Sequence, residues 1–282
     1  KVSVNGGSEN ADMTTGSAGS YEFNLTNGGD YTVTPEKNVN PLNGVSTYDL
    51  VLMSKHILGL QTFDSPYKYI AADVNKSGSI TTFDMVELRK VILQVVPTFE
   101  NNESWRFVDA NYVFPNPSNP WAEDFPEIIN VNNIDNDELT EDFVAIKIGD
   151  INGSATANQL LNSDNRTQES ALVLTTENLK MKRGETYDID IYAKNFNHLG
   201  YQFTLNFDNQ KIAFKNVKNG LVTSNDFGLN LLEKGAITTS WYQEMPTKIT
   251  EDMPLFTLQI TALNNGDLQD MLSINSRFTT AE

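Results

Sequence analysis

From residue 171 onward, apolar and polar residues alternate. The segments "ALVLTT", "ETYDIDIYAKNF", "YQFTLNFD", "KIAFKNV", "AITTSWYQ", "PLFTLQITAL" and "MLSINS" recur with turn residues between them, which predicts strands. In the third, Phe203, Leu205 and Phe207 share one face. Two packed sheets are the natural closure for such a series. The same period-two pattern opens the chain. Tyr21, Phe23 and Leu25 alternate in "SYEFNL", Tyr31 and Val33 in "DYTVTP", and "NGGD" between them reads as a hairpin turn. So short a stretch closes no core alone, so residues 1–36 are expected to be the C-terminal part of a β-sandwich repeat.

Between these regions the period changes from 2 to 3.6. Leu50, Met53 and Ile57 form one helical stripe, and Met85, Leu88 and Ile92 form another. The two helices belong to an internal repeat at an offset of 35: "NGVSTYDLVLMSKHILG" from Asn43 aligns with "GSITTFDMVELRKVILQ" from Gly78. Thr47 then matches Thr82, Asp49 matches Asp84, Lys55 matches Lys90, and Tyr48 aligns with Phe83. Asp49 and Asp84 open their helices, where the dipole favours negative charge.

Residues 97–150 are rich in aromatic residues, Pro and Asn, and predict no helix. Trp105, Phe107, Phe114 and Trp121 are expected to pin this excursion to a neighbouring surface, on the helix pair and the following sandwich. It ends in a short apolar strand and a Gly turn, "DFVAIKIGDINGSA". The polar stretch 154–170 reads as a linker. The expected organisation is multidomain and mainly β. It has a β-sandwich fragment (1–36), a small α calcium-loop helix pair with an irregular extension (37–153), the linker, and a β-sandwich (171–282). Both ends look cut, so the chain reads as a segment of a longer protein, and the sandwich reads as lacking its last strand.

The repeat carries metal chemistry. "DVNKSGSITTFD" runs twelve positions from Asp73 to Asp84. Asp73, Asn75 and Ser77 stand at the first, third and fifth positions, Gly78 at the sixth, Ser79 at the seventh, Thr81 at the ninth and Asp84 at the twelfth. That is the oxygen-ligand spacing of an EF-hand calcium loop, in which alternate side chains turn inward and the Gly allows the sharp bend. Asp replaces the usual Glu at the last place. The earlier copy, "NVNPLNGVSTYD", offers Asn38, Asn40 and Asp49, with Leu42 at the fifth position. Its alternatives are a weaker calcium site and a metal-free loop held by Asn–backbone bonds. A third oxygen cluster, Asp150, Asn152 and Ser154, mimics the first half of such a loop without a closing acid. It reads either as a further cation site or as an Asp-Asn-Gly turn.

Tandem calcium loops, each followed by one short helix with no helix leading in, resemble a dockerin module over residues 37–96. The resemblance implies calcium as cofactor and a cohesin-type partner. It maps the contact positions to Thr47, Tyr48, Ser54 and Lys55 in the first copy and to Thr82, Phe83, Arg89 and Lys90 in the second. Leu42 and the long excursion depart from the family pattern. "ENLKMKRGETYDIDIYAKNFNHLGYQFTLNFDNQKIAFKNV" resembles the front of a cohesin, and "ITTSWYQ" and "PLFTLQITA" resemble its later strands. "TTGSAGSYEFNLTNGGDYTVTP" is similar to surface repeats of the Cna-B and carboxypeptidase-regulatory-like kind. The combination is similar to distal parts of very large surface and secreted proteins of Bacteroidetes. It implies an extracellular or cell-surface location and a role in adhesion, scaffolding or assembly, with pairing in cis or between copies as an oligomer or filament. The alternative implied is a targeting region of a secreted, polysaccharide-degrading glycoside hydrolase.

Composition narrows the classes. With Lys and Arg totalling 20 against 37 Asp and Glu, the net charge is −17. That argues against nucleic acid as a main partner and against an anionic membrane surface. No apolar run reaches the length of a membrane helix. There is no Cys, which removes disulfides, thiolate nucleophiles and Cys-based metal sites, and only two His, His56 and His198. Neither His has a visible nucleophile partner and no carboxylate pair is marked out, so no enzyme is expected. Trp105, Trp121 and Trp241 are read as core residues before they are read as a sugar-stacking platform.

Overall fold

The computed structural model describes residues 1–7, 9–157, 172–218 and 220–282. Most of the expected linker, residues 158–170, lies outside the described residues. The chain is mainly β, with three short α-helices among the described residues. It divides into two compact units, each assembled from separated stretches. The first comprises Lys1–Gly44, His56–Asp84 and Thr98–Asn162, and the second Val45–Lys55, Met85–Pro97 and Ser163–Glu282.

In the first unit, β1 (Val2–Gly6), β2 (Glu9–Met13), β3 (Tyr31–Pro35) and β5 (Ile129–Val131) form an antiparallel sheet in the order β2-β1-β3-β5. Two expectations change here. Residues 21–25 are not a strand, because β1 and β5 take up both edges of β3. Tyr21, Phe23 and Leu25 instead pack against the cluster of Val2, Val4, Tyr31, Val33 and Ile129. Nor is the boundary expected at residue 36 kept, since β5 comes from the middle excursion and completes the sheet. In that excursion β4 (Trp105–Asp109) pairs with β6 (Phe143–Lys147). The pair packs with the seven-residue helix α2 (Pro66–Ala72) through Val108, Phe114, Ile146, Ile70 and Ala71. Helix α2, with Pro66 in its first turn, runs directly into Asp73. The second loop therefore has the entering helix that the sequence reading denied it.

In the second unit, β7 (Val173–Thr175), β9 (Thr186–Lys194), β11 (Ile212–Lys218) and β14 (Phe256–Ala262) form one sheet, ordered β11-β14-β9-β7. β10 (Asn197–Phe207), β12 (Phe227–Gly228), β13 (Ala236–Lys248) and β16 (Leu272–Asn275) form the other, ordered β12-β13-β10-β16. β8 (Lys180–Met181) and β15 (Gly266–Asp267) make a short pair. Inward residues of both sheets, among them Ile189, Ile191, Tyr201, Phe203, Leu205, Ile237, Trp241, Phe256 and Leu258, make one core. All seven expected strands are present. Helices α1 (Thr47–Ile57) and α3 (Thr82–Ile92) contribute residues 47–55 and 85–92 to this unit.

Phe256 is 1% exposed and meets Phe227 edge-on at 5.2 Å. Phe256→Ala should lower the stability of the second unit by about 3–5 kcal/mol, measurable as a drop in the guanidinium midpoint. A shift equivalent to under ~1 kcal/mol would contradict this core.

Candidate functional site

The loop from Asp73 to Asp84 closes on two buried carboxylates, 1% and 0% exposed. Asp73 Oδ1 accepts the N–H of Ser77 at 2.8 Å and Oδ2 that of Gly78 at 2.9 Å. Asp84 Oδ1 accepts from Asn75 N at 3.1 Å and Oδ2 from Thr81 N at 2.8 Å. Gly78 takes φ +75°, a backbone that side chains other than Gly rarely adopt. Ser77 Oγ lies 3.4 Å from Asp73 Oδ1 and 3.2 Å from the Ser79 carbonyl oxygen. Thr81 Oγ1 donates to Asp84 and accepts from Phe83 N–H, so it helps cap α3. The middle excursion supports the loop: Asn102 Nδ2 donates to Asp73 O at 3.1 Å, and Trp121 lies against Gly78.

Burial pushes the Asp73 carboxyl above its usual range. The charge of Asp84 adds to this, while the N–H groups of Gly78 and Ser77 and the charge of Arg106 oppose it. Among the described residues no three His, Cys, Asp or Glu side chains converge as a metal cluster. The donors here are two acids with amide, hydroxyl and carbonyl oxygens. Two like charges desolvated in one small loop, with hard oxygens around them, fit a divalent hard cation. The residues that would hold it are Asp73, Asn75, Ser77, the Ser79 carbonyl and Asp84.

The Asp150 cluster repeats this arrangement contact for contact. Asp150 Oδ1 accepts from Ser154 N at 2.9 Å and Oδ2 from Ala155 N at 2.8 Å, as Asp73 does from Ser77 and Gly78. Ser154 N also reaches Asn152 Oδ1 at 2.9 Å, as Ser77 N reaches Asn75. Ser154 Oγ donates to the Gly44 carbonyl at 2.9 Å, as Ser77 Oγ does to Ser79. In the sequence repeat, Gly44 is the counterpart of Ser79. The half-loop beside Gly44 is thus Asp150-Asn152-Ser154. Asn38 is used elsewhere, its Oδ1 accepting Ser104 N at 2.9 Å, and Asn40 is exposed with φ +49°. Burial pushes the Asp150 carboxyl up, against the N–H groups of Ala155 and Ser154 and the charge of Lys147. Asp49, in the second unit, is fully buried and accepts Ser46 N at 2.9 Å, as Asp84 accepts Thr81.

The second unit holds a polar docking contact between helix residues and the outer face of β10 and β13. Thr47 N and Oγ1 donate to Gln202 Oε1 at 2.7 and 2.9 Å, and Thr47 Oγ1 lies 2.7 Å from Ser240 Oγ. Ser54 Oγ donates to Glu244 Oε1 at 2.5 Å. Arg89 pairs with Asp226, donates to Ser240 O at 2.8 Å and sits over the Tyr242 ring. The carbonyls at and just beyond the end of α3 also find partners on the sandwich. Ile92 O accepts from Thr279 Oγ1 at 2.7 Å, Leu93 O from Thr238 Oγ1 at 2.5 Å, and Val95 O from Asn230 Nδ2 at 2.8 Å. Gly228 permits this approach, since a Cβ there would lie 2.1 Å from Leu93 O. Three mapped contact residues, Thr47, Ser54 and Arg89, are in this interface. Tyr48, Thr82 and Phe83 lie exposed at the surface, Lys55 is half-buried, and Lys90 pairs with Glu87 along its own helix. Sequence reading missed Gln202, Asp226, Thr238 and Ser240. For Thr238 and Ser240 the signal was a pair of hydroxyls at alternate positions of one strand, which reads as ordinary solvent-facing sheet; Gln202 and Asp226 carried none.

Other candidates resolve into packing. Trp105 and Trp241 are buried, so no sugar platform forms from them. His56 stacks on Phe63 at 4.1 Å, and burial pushes its pKa down. A cavity of about 160 Å³ beside Thr47, lined by Tyr48, Val51, Leu199 and Gln202 among others, is below the usual size of a small-molecule site. Among the described residues no helix is long and apolar enough to cross a membrane.

No family model matches the chain, and no curated protein matches it. Among solved structures it is similar to a type I cohesin–dockerin complex of Clostridium thermocellum (Coh-OlpA–Doc918), at 14% identity and TM-score 0.28, covering 40% of this chain and 91% of that one. It is also similar to the complex of the third cohesin of ScaC with the ScaB dockerin from Acetivibrio cellulolyticus, at 15% identity and TM-score 0.24, covering 39% and 90%. A third is the solution structure of CaCohA2 from Clostridium acetobutylicum, at 12% identity and TM-score 0.23, covering 37% and 79%. Likeness at this level says nothing of function.

The pH dependence follows from Asp73. Its folded carboxyl titrates above the ordinary 3.8, so without metal its ionisation costs stability as pH rises through the folded value. A cation binds the ionised form, so its stabilisation appears above that value and fades as pH falls. Melting temperatures with calcium and with chelator should therefore differ near neutral pH and converge in acid, as pH falls through the folded value. Asp73→Ala should abolish the difference from this loop. At calcium roughly a hundredfold above the dissociation constant, that difference is roughly 2.7 kcal/mol.

Proposed function

We propose that this chain is a non-catalytic, calcium-stabilised protein-interaction module of an extracellular or cell-surface protein. Its dockerin-like helix pair is docked in cis on a cohesin-like sandwich. The observation that carries this reading is the polar contact of Thr47, Ser54 and Arg89 with Gln202, Ser240, Glu244 and Asp226. A domain interior is normally apolar, whereas this contact has the hydrogen-bonded, Arg-anchored character of a recognition interface. Calcium is proposed in two places, the Asp73–Asp84 loop and the Asp150-Asn152-Ser154 half-loop beside the Gly44 carbonyl. The Asp73–Asp84 loop runs directly into α3, so metal binding there would fix the first turn of that helix.

Two measurements test this. Titration calorimetry should find two calcium equivalents, with Asp73→Ala losing one and Asp150→Ala the other; no calcium uptake by the unmutated chain would sink the metal part. Arg89→Ala removes a charge-assisted bond worth roughly 1.5–3 kcal/mol. Amide exchange across residues 85–93 should then accelerate by roughly 10- to 150-fold, while the sandwich core strands keep their protection. Unchanged exchange in those helix residues would defeat the docking reading.

A further inference from the structure

We propose that Asn152 is a self-modifying residue: in the metal-free chain its side-chain amide is lost to the backbone nitrogen of Gly153, and the loop acquires aspartate or isoaspartate there. The reaction needs an unhindered nitrogen after the Asn, an electrophilic side-chain carbonyl and a group to take the proton. Gly153 has no side chain to obstruct attack, and the space where a Cβ would stand is open. Asn152 Oδ1 accepts the N–H of Ser154 at 2.9 Å, which folds the side chain forward over Gly153 and polarises its carbonyl. The N–H of Gly153 donates to the Asp150 carboxylate, which stands where a base would take the proton. Asn152 and Gly153 are both exposed, so water reaches them.

In the first step Gly153 N bonds to Asn152 Cγ, its proton passes through Asp150 to the departing Nδ2, and ammonia leaves a succinimide. Water then adds to either imide carbonyl, its second proton going to Gly153 N as that C–N bond breaks. Opening at Cγ gives aspartate in an unchanged chain. Opening at the backbone carbonyl carries the chain through Cγ as isoaspartate. The extra methylene between Asp150 and Ser154 then moves the N–H groups of Ser154 and Ala155 off the Asp150 carboxylate.

The Asp73–Asp84 loop provides an internal comparison. Asn75 Oδ1 accepts Ser77 N at 3.0 Å, and Lys76 holds φ +58° where Gly153 holds +73°. Lys76, however, places a side chain beside the attacking nitrogen, and its N–H donates to the Asp73 backbone carbonyl at 3.3 Å. Other Asn–Gly pairs are restrained. Gly28 N donates to Ile134 O at 2.7 Å, Asn43 is held at both ends of its amide by Thr156, and Gly6 and Gly266 lie in paired strands. Asn219, before Gly220, lies outside the described residues. On the calcium reading above, an ion in the Asp150 half-loop would engage Asp150 and Asn152 Oδ1 and so protect the amide.

Peptide mass spectrometry of the full chain, kept warm at mildly alkaline pH in chelator, tests this. Asn152 should gain about 1 Da before the other described Asn–Gly pairs do, while Asn75 stays intact. A protease that cuts before aspartate but not before isoaspartate divides the products. Gly153→Lys, which copies the Lys76 conformation, should slow conversion by roughly 10-fold or more, and Asn152→Gln should abolish it. An intact Asn152 after another described Asn–Gly pair has converted overturns the proposal, as does an unchanged rate in Gly153→Lys. Calcium roughly a hundredfold above the dissociation constant leaves about 1% of the loops open and should slow conversion about 100-fold. Equal rates in calcium and in chelator overturn calcium at Asp150 and leave the modification standing. No conversion in chelator overturns the modification, whatever calcium does.

Discussion

The last carbonyls of a helix have no partner within the helix, and they must find one elsewhere. In this protein the chain leaving α3 finds them on another part of the fold. Ile92 O, Leu93 O and Val95 O are bonded by Thr279, Thr238 and Asn230 of the sandwich. That requirement explains why residues 85–97 cluster with strands that begin far downstream and not with the loop immediately before them. It also explains the composition of the β13 face. Thr238 and Ser240 are fully buried; valine at 238 would take away the hydroxyl bonded to the Leu93 carbonyl, and valine at 240 would take one of the partners of Thr47.

The same demand of buried polar groups governs the loops. A buried carboxylate must be bonded or paired, and Asp73 and Asp84 each meet this by accepting backbone N–H groups across the loop. The N–H bonds fix the shape of the loop and hold its oxygens close together. Gly78 allows the turn, and Trp121 packs against it. The excursion from 98 to 153 is therefore part of the first unit's construction, supplying a strand to the N-terminal sheet, a hairpin against α2 and an aromatic cover for the loop.

Much of this was legible in the sequence because it is periodic or contiguous. The alternation of Phe203, Leu205 and Phe207 marked β10, the stripe of Met85, Leu88 and Ile92 marked α3, and the Asp73–Asp84 spacing marked the loop. The misreadings share one physical cause, long-range pairing. Tyr21, Phe23 and Leu25 alternate like a strand, but Ile129–Val131 takes the edge of β3. Asn38 and Asn40 have the right spacing for a first half-loop, yet the half-loop beside Gly44 comes from residues 150–154. Spacing rules see only neighbours along the chain.

The two loops therefore differ in how much of the chain their closure spans. Asp73, Ser77 and Asp84 are near neighbours, and their loop closes with little loss of chain entropy. The Ser154–Gly44 bond joins residues 110 apart, with three helices and a hairpin between them. Closing so large a loop is unfavourable until the intervening structure has removed most of the chain's freedom. The second loop's closure depends on the structure between its two halves, so damage anywhere in that structure loosens it, whereas the Asp73–Asp84 loop is held by contacts within twelve residues.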